Sequence, residues 1–140
     1  MIKFNTNVRV RYADTDKAGV VYYANYALFY EVGRTELFRS LGLPYSKIEE
    51  QYGIVLPVVE LISHYHRSAR YDDLLNVEVV IPARPTARIK FEYKIYNDEG
   101  VLLNDGSTTL VFVDTKTGRP VRAPKEVMAL LDEAFASQAL

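Results

Sequence analysis

Hydrophobic and polar positions change period three times along the 140 residues. From Asn5 to Arg11, Val8 and Val10 alternate with Arg9 and Arg11, which predicts a half-buried strand. Between Tyr26 and Leu41 the apolar positions Phe29, Val32, Leu37 and Leu41 predict a helix, and Gly42 supplies its C-terminal stop. Pro44 then opens a short helix over Tyr45 to Gln51, which Gly53 closes. Period two returns after Ile54 and predicts strands over Val55 to His66, Leu74 to Ile81, Arg88 to Asn97 and Val101 to Val113. Asn97-Asp98-Glu99-Gly100 reads as a hairpin turn and Asp114 to Gly118 as another. After Pro124 a last helix presents Val127, Leu130, Leu131 and Phe135 on one face.

A strand, a long helix and then a run of hairpin-linked antiparallel strands exclude a doubly wound βαβ repeat and indicate an α+β fold. No repeat, linker or low-complexity tract interrupts the order, so residues 1–140 read as a single domain. The long helix is apolar around most of its circumference, from Ala24 and Tyr26 to Phe38 and Leu41, which predicts a buried central helix. Ala27 and Gly33 are small enough to let another element approach it closely.

Composition narrows the classes. With 49% hydrophobic and 25% charged residues the chain can build a core, and a net charge of −1 gives no electrostatic reason to bind nucleic acid or an anionic membrane. The absence of Cys removes disulfides, thiolate metal sites and a cysteine nucleophile. The opening MIKFNTNVRV lacks a signal-peptide core, and no run reaches the ~20 apolar residues of a membrane span, so the expected location is the cytoplasm. Eleven Tyr against six Phe and no Trp point to amphipathic interior surfaces or interfaces.

Chemistry concentrates where an acidic turn meets the long helix. Val20, Val21 and Tyr22 precede the helix, and none of them can cap it with a side-chain oxygen. The orphan N–H groups of a first turn carry partial positive charge and suit an anion or a developing oxyanion. Asp14 or Asp16, just upstream, could meet an electrophile bound there. The same residues also fit an ordinary arrangement in which Asn25 caps the helix and the two aspartates decorate a turn. Spacing alone does not choose between the aspartates.

Other constellations are weaker. His64 and His66 share one face of a predicted strand but have no evident third metal ligand. Ser63 and Ser107 lack a nucleophile elbow, and no glycine-rich phosphate loop is present. Arg84, Arg88 and Lys90 cluster at one strand entry, where they could meet phosphates or simply discourage strand pairing.

The run Tyr12-Ala13-Asp14-Thr15-Asp16, Gly19 to Tyr26, Tyr30-Glu31 and Arg34-Thr35-Glu36 resembles the signature of hotdog-fold acyl-CoA thioesterases. More narrowly, it resembles the 4-hydroxybenzoyl-CoA thioesterase family, including its Tol–Pal-associated bacterial branch. Ser68 to Leu74 and Thr109 to Pro120 are similar to further family segments, so the resemblance covers essentially the whole chain.

What the resemblance implies is a long central helix wrapped by a curled, mainly antiparallel sheet of five to six strands. It also implies hydrolysis of an acyl- or aroyl-CoA thioester. The family's catalytic carboxylate, the second Asp of its D-x-D element, falls on Asp16, and its oxyanion donor is the backbone N–H at Tyr23. Many members carry His at that position, so this chain lacks a side chain that could hold the thioester or assist proton transfer. Gly19, Val20, Tyr22 and Asn25 are the implied substrate-binding positions, with Asn25 capping the helix or supporting the loop, while Asp14 shapes the turn. No metal and no cofactor are implied, CoA being part of the substrate. The implied assembly is a homodimer that pairs into a homotetramer. Two rival classes are a non-catalytic acyl-CoA-binding hotdog module and a hotdog hydratase or dehydratase; the latter wants a histidine or histidine–carboxylate pair that the motif lacks.

Overall fold

Long-range strand pairing organises the molecule, a computed structural model that describes residues 1–138. In chain order the elements are β1 (Ile2–Arg9), α1 (Tyr26–Ser40), α2 (Tyr45–Tyr52), β2 (Ile54–Val55), β3 (Val58–Tyr65), β4 (Leu74–Ile81), β5 (Arg88–Tyr96), β6 (Leu102–Val111), β7 (Val113–Asp114) and α3 (Lys125–Gln138). Five strands form one antiparallel sheet in the order β1-β4-β5-β6-β3, and β2 pairs with β7 in a separate two-stranded ribbon. The helix α1 packs on one face of the large sheet, against β1, β4 and β5. This is the hotdog arrangement of one long helix on a mainly antiparallel sheet.

Alternation in the strands builds the surface on which α1 rests. Leu75, Val77, Val79 and Ile81 of β4 and Ile89, Phe91, Tyr93 and Ile95 of β5 are buried, while the intervening residues are exposed or half-buried. From α1, Phe29, Tyr30, Gly33, Leu37 and Phe38 meet them at helical spacing. Each large apolar side chain so buried stabilises the fold by about 1.5–3 kcal/mol. Tyr30 stacks on Tyr93 with ring centroids 4.2 Å apart. A Cβ at Gly33 would stand 2.9 Å from Val77 Cγ1, so the absence of a side chain there sets how closely α1 can approach β4.

Several expectations are corrected. The first strand is Ile2–Arg9 and not Asn5 to Arg11, because Val10 leaves the ladder to donate its N–H to the Asp73 carbonyl at 2.9 Å. The stretch Val55 to His66 is two strands, since Pro57 has no N–H to continue a ladder. Val101 to Val113 divides at Phe112, whose N–H turns to the Ala87 carbonyl. The long helix is buried only toward the sheet: Leu28 is 46% exposed, and Ala24, which precedes the helix, is also exposed. Leu74–Ile81 has its predicted bounds, Gly53 ends α2 with φ +63°, and Asn97 to Gly100 turns the β5–β6 hairpin.

The two edges of the sheet differ. At β1 the Lys3 N–H donates to Gln138 Oε1 at 2.8 Å, so the end of α3 covers part of that edge. The β3 edge lies open, with Val58, Val59, Leu61, Ile62 and Tyr65 all 42–51% exposed. Among the described residues no helix is long and apolar enough to cross a membrane.

Candidate active site

The two aspartates of the acidic turn have different surroundings. Asp14 is buried; its carboxylate accepts the Arg11 N–H at 2.8 Å and the Arg11 guanidinium at 3.1 Å. Its carbonyl accepts the Tyr22 N–H at 3.0 Å and the Asn25 side-chain amide at 2.9 Å. Asp14 therefore holds the turn together and ties it to the start of the helix. Asp16 is exposed, and its Oδ1 accepts the Ala18 N–H at 2.8 Å, which orients the carboxylate; Oδ2 has no partner among the described residues.

The turn is pinned from two sides. Val20 bridges Arg70, and the Val21 N–H donates to the Ala69 carbonyl at 2.9 Å. Ala69 in turn donates its N–H to the Tyr26 hydroxyl at 3.2 Å. Asp73 accepts the Arg70 N–H at 2.8 Å, which folds the Ser68 to Leu74 segment against the same region.

A single 3₁₀ turn, Tyr23–Asn25, leads into α1, and Asn25 makes no side-chain cap. Of the two roles open to Asn25, loop support is the one its amide performs, through the Asp14 carbonyl. The Tyr22 carbonyl accepts the Asn25 N–H at 2.9 Å, while no acceptor for the Tyr23 N–H is found among the described residues. Tyr65, at the end of β3, donates its hydroxyl to the Tyr23 carbonyl at 3.0 Å.

Asp16, Val20, Tyr22 and Tyr23 line one cleft of about 350 Å³, together with Tyr26, Tyr65 and His66. Gly19 and Asn25 stand outside that lining: Gly19 turns the chain at φ +81°, and Asn25 faces Asp14. The Tyr22 hydroxyl is held above its ordinary value, mainly by Tyr23 beside it, with the Asp16 charge adding to the effect. Burial raises the Tyr26 hydroxyl as well. A larger concavity, about 490 Å³, lies between strands and is lined by charged residues including Lys3, Glu78, Glu92 and Lys94. It contains neither Asp16 nor the helix start, both of which belong to the smaller cleft.

The histidines do share a face, and the fold supplies what the spacing could not show. His64 Nδ1 lies 2.9 Å from Asp105 Oδ1, and His66 Nε2 lies 2.6 Å from Asp105 Oδ2. The motif lacks a histidine–carboxylate pair, yet the pairing of β3 with β6 forms one, of which His66 alone lines the cleft. Arg84 is engaged by Asp132 through two bonds of 2.8 and 3.1 Å, and neither it, Arg88 nor Lys90 lines the cleft. The cation that does line it is Arg67.

The comparisons agree with this architecture. The Thioesterase-like superfamily matches residues 10–131, and the chain belongs to it. Over 126 residues the chain is 36% identical to the acyl-CoA thioesterase YbgC of Haemophilus influenzae, covering 90% of this chain and 92% of that protein. It is 34% identical to the acyl-CoA thioester hydrolase YbgC of Escherichia coli, covering 90% and 93%. A crystal structure of DHNA-CoA thioesterase from Staphylococcus aureus superposes with a TM-score of 0.89 at 35% identity, covering 100% of this chain and 93% of that one. By family the chain is a thioester hydrolase.

Proposed function

We propose that the chain hydrolyses acyl- or aroyl-CoA thioesters to free acid and CoA in the cleft shared by Asp16 and Tyr23. The observation that carries the reading is this pairing: an oriented, exposed carboxylate and an uncapped turn at the start of α1 line the same concavity. The substrate carbonyl oxygen takes the Tyr23 N–H. That peptide is polarised because its carbonyl end, on Tyr22, already accepts the Asn25 N–H. Asp16 attacks the carbonyl carbon or takes a proton from the water that does. The carbon–sulfur bond then breaks, and CoA leaves with the electron pair. Val20 and Tyr22 hold the substrate beside the reacting atoms, with Gly19 and Asn25 shaping the turn behind them. No cofactor is required.

The working unit is a homodimer joined along β3, pairing again into a homotetramer, in the cytoplasm. The open β3 edge, with apolar side chains exposed on both faces, supports this, because such an edge is a template for pairing with a second chain. The opposite edge is partly covered by Gln138.

Thiol release over a panel of aliphatic and aromatic acyl-CoAs tests the function. Equal amounts of CoA and free acid are the expected products. Tight CoA-ester binding with no thiol released would instead identify a binding module.

A further inference from the structure

Asp105 stands on β6 opposite His64 of β3, and both of its carboxylate oxygens are occupied by imidazole nitrogens. His66 follows the end of β3, where its backbone N–H and that of Arg67 both donate to the Leu103 carbonyl, at 2.9 and 3.0 Å. That shared acceptor fixes the backbone from which the His66 ring projects. His66 lines the cleft that contains Asp16 and Tyr23, whereas Asp105 does not. His66 thus meets a carboxylate and also lines the cleft. Because Nε2 is held by Asp105 Oδ2 at 2.6 Å, Nδ1 is the ring nitrogen left for a ligand.

We propose that His66, oriented by Asp105 as a positioning residue, donates a proton to the departing thiolate. The proposal rests on the thioesterase reading of the same cleft. In the water route, water adds to the carbonyl carbon and loses a proton to Asp16. The carbon–sulfur bond breaks with its electron pair on sulfur, and the Nδ1 proton of the His66 imidazolium passes to that sulfur. Neutral His66 keeps its Nε2–H on Asp105. Asp16 then releases its proton to solvent, and His66 takes one back. One water is consumed, one acid and one thiol are formed, and both residues return to their starting states. The Asp105 carboxylate suits this role, since its hydrogen bonds to His66 and then His64 keep it ionised and able to stabilise the imidazolium.

Leaving-group dependence is the test. A proton donor matters for an alkyl thiolate such as CoA and little for an acidic aryl thiolate that leaves unaided. His66→Gln and Asp105→Asn are compared with the intact chain on one acyl group carried by CoA and by nitrothiophenol. Gln keeps a side-chain N–H for the Asp105 carboxylate, so His66→Gln should melt close to the intact chain. The expected result for His66→Gln is a kcat lower by about 100-fold on the CoA ester and within about threefold of the intact chain on the aryl thioester. Asp105→Asn should lose about tenfold on the CoA ester, with the same recovery on the aryl thioester. Equal losses on both substrates, or no loss on either, would overturn the proposal while leaving the thioesterase reading intact. An intact chain that hydrolyses neither ester would refute that reading and this inference together.

Discussion

Asn25 donates its side-chain amide to the Asp14 carbonyl at 2.9 Å, joining the first turn of the long helix to the acidic turn eleven residues upstream. This bond fixes where the Tyr23 N–H stands relative to Asp16. Replacing Asn25 by Ala removes a partly buried hydrogen bond and should cost about 1 kcal/mol of stability. It should also lower kcat more than it raises KM, because the lost bond aligns reacting groups rather than holding substrate. Urea melts and steady-state kinetics on the same sample check both parts.

Gly33 allows α1 to approach β4. A Val at this position would drive a branched side chain into Val77, which already stands 2.9 Å from an added Cβ. Gly33→Val should destabilise by about 1–3 kcal/mol through overpacking, read as a lower denaturant midpoint with an unchanged slope.

The acid limb of stability has an identifiable contributor. Hydrogen bonds from His66 first and His64 second hold the Asp105 carboxyl below its ordinary value of 3.8. A depressed folded-state pKa contributes stability that is present above the unfolded value and lost as pH falls through the folded one. The loss should therefore set in below about pH 4 and be flatter in Asp105→Asn, as urea midpoints taken down to about pH 2 would reveal. Asp132, similarly lowered by Arg84, should leave a residual acid limb in that variant.

Most of the fold was legible because period two and the helical stripe report burial directly. Leu74–Ile81 and the turn at Asn97 to Gly100 are clear cases. The errors came where one residue's backbone outweighs the pattern, as at Pro57 and Phe112. Arg34 shows another limit: no hydrophobic pattern marks a charged residue as buried, and it is 8% exposed, with Nε unpartnered among the described residues. At the site, Asp16 and Tyr23 lie within one local segment that the sequence singles out. Tyr65 and His66 stand more than 40 residues beyond Tyr23, and the Tyr65 hydroxyl bonds the Tyr23 carbonyl across that separation, which no local spacing encodes.

The β3 edge makes a prediction about assembly. Leu61→Lys places charge in the exposed apolar strip without disturbing the core, since Leu61 is 46% exposed. Light scattering at micromolar concentration should show an oligomer for the intact chain and a monomer for the variant. An intact chain that is already monomeric would contradict assembly through β3.

The division of labour between Asp14 and Asp16 is the centre of the account, and CoA release by Asp16→Asn tests it most directly. Asp16 is exposed and makes one local hydrogen bond, so its amide should preserve the melting temperature. The predicted result is a fall in turnover of at least about 1,000-fold across every acyl-CoA hydrolysed by the intact chain. Turnover within a few-fold of the intact chain, at an unchanged melting temperature, would contradict the assignment.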